Sequence, residues 1–178
     1  MTKLTSESVL EVAMQRLQAY GLSGLSMRGI ATELEVQPGA LYWHFANKQA
    51  LVAGVCDLLV APLATQQFGD PVAAGLAIRE CLVSVPDGAE MVASSIAFGL
   101  GAEAAYTCLL DACAVAGHTE ALASTALHLV LGEVQHEQQR AQAVAHGIDI
   151  GAESVRASAE TLGAGLQALF GTSAAQRE

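Results

Sequence analysis

At 178 residues the chain is long enough for one domain, or a small domain beside a larger one, with a substantial core. Apolar residues reach 52% while aromatics stay at 4%, and with four prolines and no alternating β-branched stretches this composition argues against a sheet and for an all-α fold. The net charge of −10 excludes a molecule that is basic all over, but residues 1–50 hold four basic and four acidic groups, so the whole excess of acid lies beyond them.

Thr5 or Ser6 is a good N-cap, and Val9, Leu10, Ala13, Leu17 and Tyr20 follow at helical spacing until Gly21. After a Gly-Leu-Ser-Gly-Leu linker, Ser26 caps a short second helix striped by Met27, Ile30, Ala31 and Leu34. Glu35, Val36 and Gln37 make a three-residue turn, Pro38 opens a third helix running to about Phe45, and Asn47 caps a fourth that ends at Pro62. Beyond it the spacing predicts helices at about 71–84, 87–100, 102–116, 119–146 and 152–170, broken at Pro86-Asp87-Gly88, Gly117-His118 and Gly147 to Gly151.

The expected architecture is therefore all-α. It has an N-terminal three-helix helix-turn-helix DNA-binding domain over 1–47, a connecting helix over 48–62, and a C-terminal helical ligand-binding and dimerisation domain over 63–178.

Two short helices across a three-residue turn place the second in a DNA major groove. Leu41 and Phe45 pair inward at i, i+4, which turns Tyr42 and Trp43 outward. Arg28, near the helix start capped by Ser26, suits a phosphate or a guanine edge. Gln37, Pro38, Gly39 and Ala40 form the exposed start of the recognition helix, where small residues allow close approach and Gln37 suits adenine. Tyr42, Trp43 and His44 offer donors to phosphates, and Lys48 with the first amides of the fourth helix adds a phosphate clamp.

The run from Leu22 to Val52, LSGLSMRGIATELEVQPGALYWHFANKQALV, resembles the N-terminal domain of TetR-family transcriptional regulators, and its LYWH and NK elements resemble the tetracycline-repressor subfamily most. PDGAEMVASS at 86–95 and LHLVLGEVQHEQQ at 127–139 are similar, more weakly, to that subfamily's ligand-binding domain. The resemblance implies a homodimer on double-stranded operator DNA, a small-molecule effector in the C-terminal part, and dimerisation through a four-helix bundle. The long helix near 119–146 and the last helix, with Ala157, Leu162, Leu166 and Leu169 on one face, are the candidates for that bundle.

In that subfamily a magnesium chelate of the drug is held partly by a histidine and a glutamate. Here Val92 and His136 stand at the corresponding places, although a one-residue slip brings Glu133 or Glu137 in instead. A hard cation has little to hold it at such a site, so no metal and no other cofactor is expected. Ile78, Val92, Ser95, Leu109, His128 and His136 are expected to line a mainly apolar effector cavity. The alternatives are a core role for His128 and a solvated helical face for His136.

Four scattered cysteines without a CxxC pair, and no secretory signal, fit a reducing cytoplasm. Cys108 and Cys113, five apart, read as buried small side chains or, alternatively, as a redox sensor. The apolar stretch at 91–102 is well short of the ~20 residues a membrane helix needs, so no membrane partner is expected. No catalytic motif appears, and an enzyme is not expected. The sequence thus points to a ligand-responsive transcriptional repressor. The rival readings are a constitutive DNA-binding protein without an effector and a small-molecule or redox-binding protein without DNA recognition.

Overall fold

The computed structural model describes residues 4–151 and 159–171. Among these the fold is all-α: α1 (Ser6–Gly24), α2 (Met27–Glu33), α3 (Pro38–Leu41), α4 (Lys48–Val60), a 3-10 helix (Ala61–Thr65), α5 (Pro71–Val83), α6 (Gly88–Ala97), α7 (Glu103–Val115), α8 (Glu120–Ala145) and α9 (Ala159–Gly171). The predicted helix over 152–170 is seen from Ala159, its first part lying outside the described residues.

The first helices start where side-chain caps satisfy free amides. Thr5 Oγ1 accepts from Ser8 N at 3.1 Å while Ser8 Oγ accepts from Thr5 N at 3.0 Å, a reciprocal cap on α1. Ser26 caps α2 through Gly29 N at 3.0 Å, and Asn47 caps α4 through Ala50 N at 2.8 Å. α3 is shorter than its expected end at Phe45. The chain continues instead as a turn in which the His44 and Phe45 amides both donate to Leu41 O at 2.9 Å. The α2 to α3 turn closes when Val36 N donates to Ala31 O at 2.9 Å, with Glu35 in the left-handed region at φ 55°.

Val9, Ala13, Leu17, Leu25, Ile30, Leu41, Leu51 and Val55 form the core under the N-terminal helices, and it runs without a break into the core formed by α5 to α9. Gly54 lets α4 lie close on α1, since a Cβ there would sit 3.0 Å from Leu10 Cδ2. On the far side α9 docks on α5: Leu166 is fully buried, and one of its methyls lies 2.6 Å from where Gly75 would carry a Cβ. Leu162 and Leu166, expected at a dimer bundle, are thus buried within their own chain.

Gln138 of α8 staples the α5 to α6 corner. Its amide donates to Leu82 O (3.0 Å) and Val85 O (2.8 Å) and its carbonyl accepts from Ala89 N (3.2 Å) at the start of α6. Asp57 of α4 does the same for α7, accepting from Ala102 N at 2.6 Å.

Residues 48–65 are the one segment among those described that is long and apolar enough to cross a membrane. Pro62 falls inside it, and α4 buries Leu51, Val55, Cys56, Leu59 and Val60 in the protein core, as a core helix does.

Candidate nucleic-acid interface

The helix-turn-helix leaves most of the positions singled out for DNA exposed. Arg28, Gln37, Pro38, Gly39, Tyr42, Trp43 and Lys48 are all exposed, while Leu41 between them is fully buried and anchors the turn. Trp43 is 91% exposed and Tyr42 52%, two adjacent large aromatics left uncovered on this surface. A Cβ added at Gly39 would meet nothing within 4 Å, so the backbone here lies open to close approach by another molecule.

The remaining sequence-predicted positions are half-buried or already bonded. Ser26 Oγ is occupied by the α2 cap. Ala40 and His44 are half-buried, and His44 Nδ1 lies 3.2 Å from Ser6 Oγ, which ties the end of the α3 turn to the start of α1. That positioning role of Ser6 is not readable from local sequence, because the two residues are 38 apart.

Arg16 is a strut rather than a surface cation. It donates to Gly24 O at 3.0 Å and to Glu33 Oε2 at 3.1 Å, and its guanidinium lies 5.5 Å from the Tyr20 ring centroid. Arg28 and Lys48 have no ion-pair partner among the described residues, which leaves both available to an external anion.

The residues expected to line an effector cavity are not brought together in any one of the three clefts found between the 3-10 helix and α7, between α4 and α6, and beside His128. Ile78, Val92 and Leu109 have no exposed surface and belong to the packed core. Ser95 is 3% exposed, its hydroxyl donating to Cys56 Sγ at 3.4 Å, at the edge of a cleft between α4 and α6. His128 is exposed, at the rim of a 400 Å³ cleft shared with Ile96, Tyr106 and Leu127. His136 lies exposed on α8. Of the two nearby carboxylates, Glu137 is held by both oxygens on Arg79 (2.9 and 2.8 Å), and Glu133 keeps one buried oxygen without a hydrogen-bond partner.

No group of three potential metal ligands occurs among the described residues. Burial pushes the Cys56 thiol up to about 11, against a weaker opposing hydrogen bond from Ser95, and burial pushes Cys108 up to about 12. Both are neutral thiols at ordinary pH, the opposite of what redox sensing requires.

The family profile described as bacterial regulatory proteins, tetR family, matches residues 9–55, which span α1 to most of α4. The chain is 43% identical over 61 residues to the class A tetracycline repressor from transposon 1721 in Escherichia coli, a match covering 34% of this chain and 28% of that protein. To the class E tetracycline repressor of Escherichia coli it is 31% identical over 151 residues, covering 78% of this chain and 71% of that one. A crystal structure of BioQ with its natural double-stranded DNA operator superposes with a TM-score of 0.81 at 32% identity, covering 98% of this chain and 100% of that one. Helix order, exposed recognition surface and relatives agree: the chain belongs to the tetR family of bacterial regulatory proteins.

Proposed function

We propose that the protein is a ligand-responsive transcriptional repressor that binds a palindromic operator as a homodimer and is released by a small effector. The observation that carries this reading is the uncovered Tyr42 and Trp43 pair beside Gly39, Arg28 and Lys48 on a turn pinned by buried Leu41. BioQ, at 32% identity over nearly the whole chain, is seen with a DNA operator. In this reading residues 1–47 bind DNA, 48–62 connect, and 63–178 bind ligand and dimerise. The protein acts in the cytoplasm, where the DNA is, and catalyses no reaction.

One short recognition helix contacts few base pairs, so two copies about one DNA turn apart are required for useful specificity. The second copy docks on the outward face of α8, where Thr125, Gly132 and His136 recur at helical spacing, together with Ala164 and Ala168 of α9. Small residues there let helices approach closely, as in helical bundles.

The effector enters the C-terminal helices. The cleft with His128 combines apolar walls, Ile96 and Leu127, with the polar groups of Tyr106 and His128 and the Glu103 carboxylate, which suits a mainly apolar molecule without negative charge. The ligand weakens operator binding by favouring a subunit spacing that mismatches successive major grooves; a coupling of about 1–3 kcal/mol is ordinary for such systems.

Selection of random duplex DNA by the purified protein, followed by sequencing, tests the reading. A two-fold symmetric consensus is expected, and the absence of any enriched sequence overturns it.

A further inference from the structure

A cleft of 260 Å³ opens between α4 and α6, on the side of the molecule where Leu22 of α1 also reaches them. Its apolar lining includes Val52, Met91, Phe98 and Leu100, and the last two are 68% and 46% exposed, large side chains left at its mouth without cover. Lys48 stands in its wall as the one charged group, and Ser94, which is exposed, contributes a hydroxyl. The two other clefts described each carry a carboxylate, Asp111 in the groove between the 3-10 helix and α7, and Glu103 in the cleft beside His128. On a chain of net charge −10, the α4 to α6 cleft thus differs from those two in offering an anion a cation and no acid.

We propose that this cleft binds an amphipathic carboxylate, an apolar tail of medium length ending in one anionic head. A cleft of 260 Å³ has room for a tail of medium length. The tail covers Met91, Phe98 and Leu100, and the head pairs with the Lys48 ammonium beside the Ser94 hydroxyl. Lys48 has no ion-pair partner to displace, so the head meets an unengaged charge.

The regulatory consequence rests on the operator reading above, whereas the binding itself does not. Lys48 opens α4, beside the recognition turn, and an anion held on it withdraws it from a DNA phosphate. A ligand here acts on the DNA contact directly, without a change of subunit spacing.

The experiment uses the full chain and two anionic apolar probes, anilinonaphthalene sulfonate, read by its fluorescence, and octanoate as competitor. Expected are saturable probe binding, displacement by octanoate but not by octanol, and a loss of at least about tenfold in affinity in Lys48→Met, the scale of a charge-assisted hydrogen bond. Ser94→Trp fills the cleft from an exposed position and abolishes binding, whereas Thr107→Trp, which blocks both other clefts, leaves it intact. Unchanged probe affinity in folded Ser94→Trp, or loss in Thr107→Trp instead, overturns the site. Equal displacement by octanol overturns the anionic ligand class. Octanoate binding to a protein that selects no DNA sequence leaves the cleft standing and removes the operator reading alone.

Discussion

The Leu22 amide donates to Asp87 Oδ2 at 2.7 Å, a bond across 65 residues that joins the end of α1 to the start of α6. Gly21 next to it has φ +64°, and a Cβ there would fall 2.7 Å from the same oxygen. Asp87 itself sits in the left-handed region at φ 58°, and its other oxygen accepts from Gln142 of α8. One carboxylate thus ties the end of α1 to α6 and α8, at a position where Asp and Asn bear the backbone conformation better than other side chains. Asp87→Ala is expected to lower stability by about 2 kcal/mol through the lost charged hydrogen bonds, with a smaller loss in Asp87→Asn. Thermal melting of both variants checks this, and equal melting temperatures for wild type and Asp87→Ala contradict it.

Gly21→Ala combines a left-handed backbone with a clash against that oxygen. The expected loss is at least about 1 kcal/mol, from the backbone alone, and denaturant unfolding measures it.

The recognition surface is exposed, so its residues affect binding more than folding. Tyr42→Ala with Trp43→Ala is expected to weaken operator binding by at least about 30-fold while shifting stability by no more than about 0.5 kcal/mol. Fluorescence anisotropy with the selected duplex reads the first quantity and thermal melting the second. Wild-type affinity in the double variant contradicts the assignment.

Salt dependence follows from how few cations face outward. With Arg16 engaged by Glu33 and Gly24, Arg28 and Lys48 are the unpaired basic side chains among the described residues of the helix-turn-helix. Four such groups in a dimer give a slope of log affinity against log salt of about −4. A slope near −10 requires many more cationic contacts than this surface offers.

Alkaline pH tests the buried thiols. Cys56 and Cys108 titrate near 11 and 12 in the folded protein against an ordinary value of 9.0, so the unfolded chain releases their protons first. Stability is unaffected by these groups below pH 9 and falls as pH rises from about 9 through 12. Melting temperatures over pH 8–11 show the decline; at neutral pH half-buried Cys81 reacts with a thiol reagent before Cys56 or Cys108.

The first four helices were legible because their signals are local. Ser26 and Asn47 cap helices in the structure as their types suggest, and Leu41 points inward where the i, i+4 pattern places it. The breaks near Gly117 and Gly147 were legible for the same reason, since both glycines adopt positive φ. The 3-10 helix over Ala61–Thr65 was not, because Pro62 reads as an end and nothing local marks a continuing tighter turn. Long-range placements were least legible. Periodicity assigns Ile78, Val92 and Leu109 to apolar faces without telling a cavity wall from packed core, and here they are packed. For His128 and His136 the facing direction depends on how α8 rolls against α5 to α7, which no window of sequence contains.

Trp43 is the chain's single tryptophan and stands on the surface assigned to DNA, so its emission reports that surface alone. Titrating the protein with the selected duplex is expected to quench or shift Trp43 emission to a break at two chains per duplex. Emission unchanged while anisotropy shows the duplex fully bound would place the DNA elsewhere on the molecule and contradict the account.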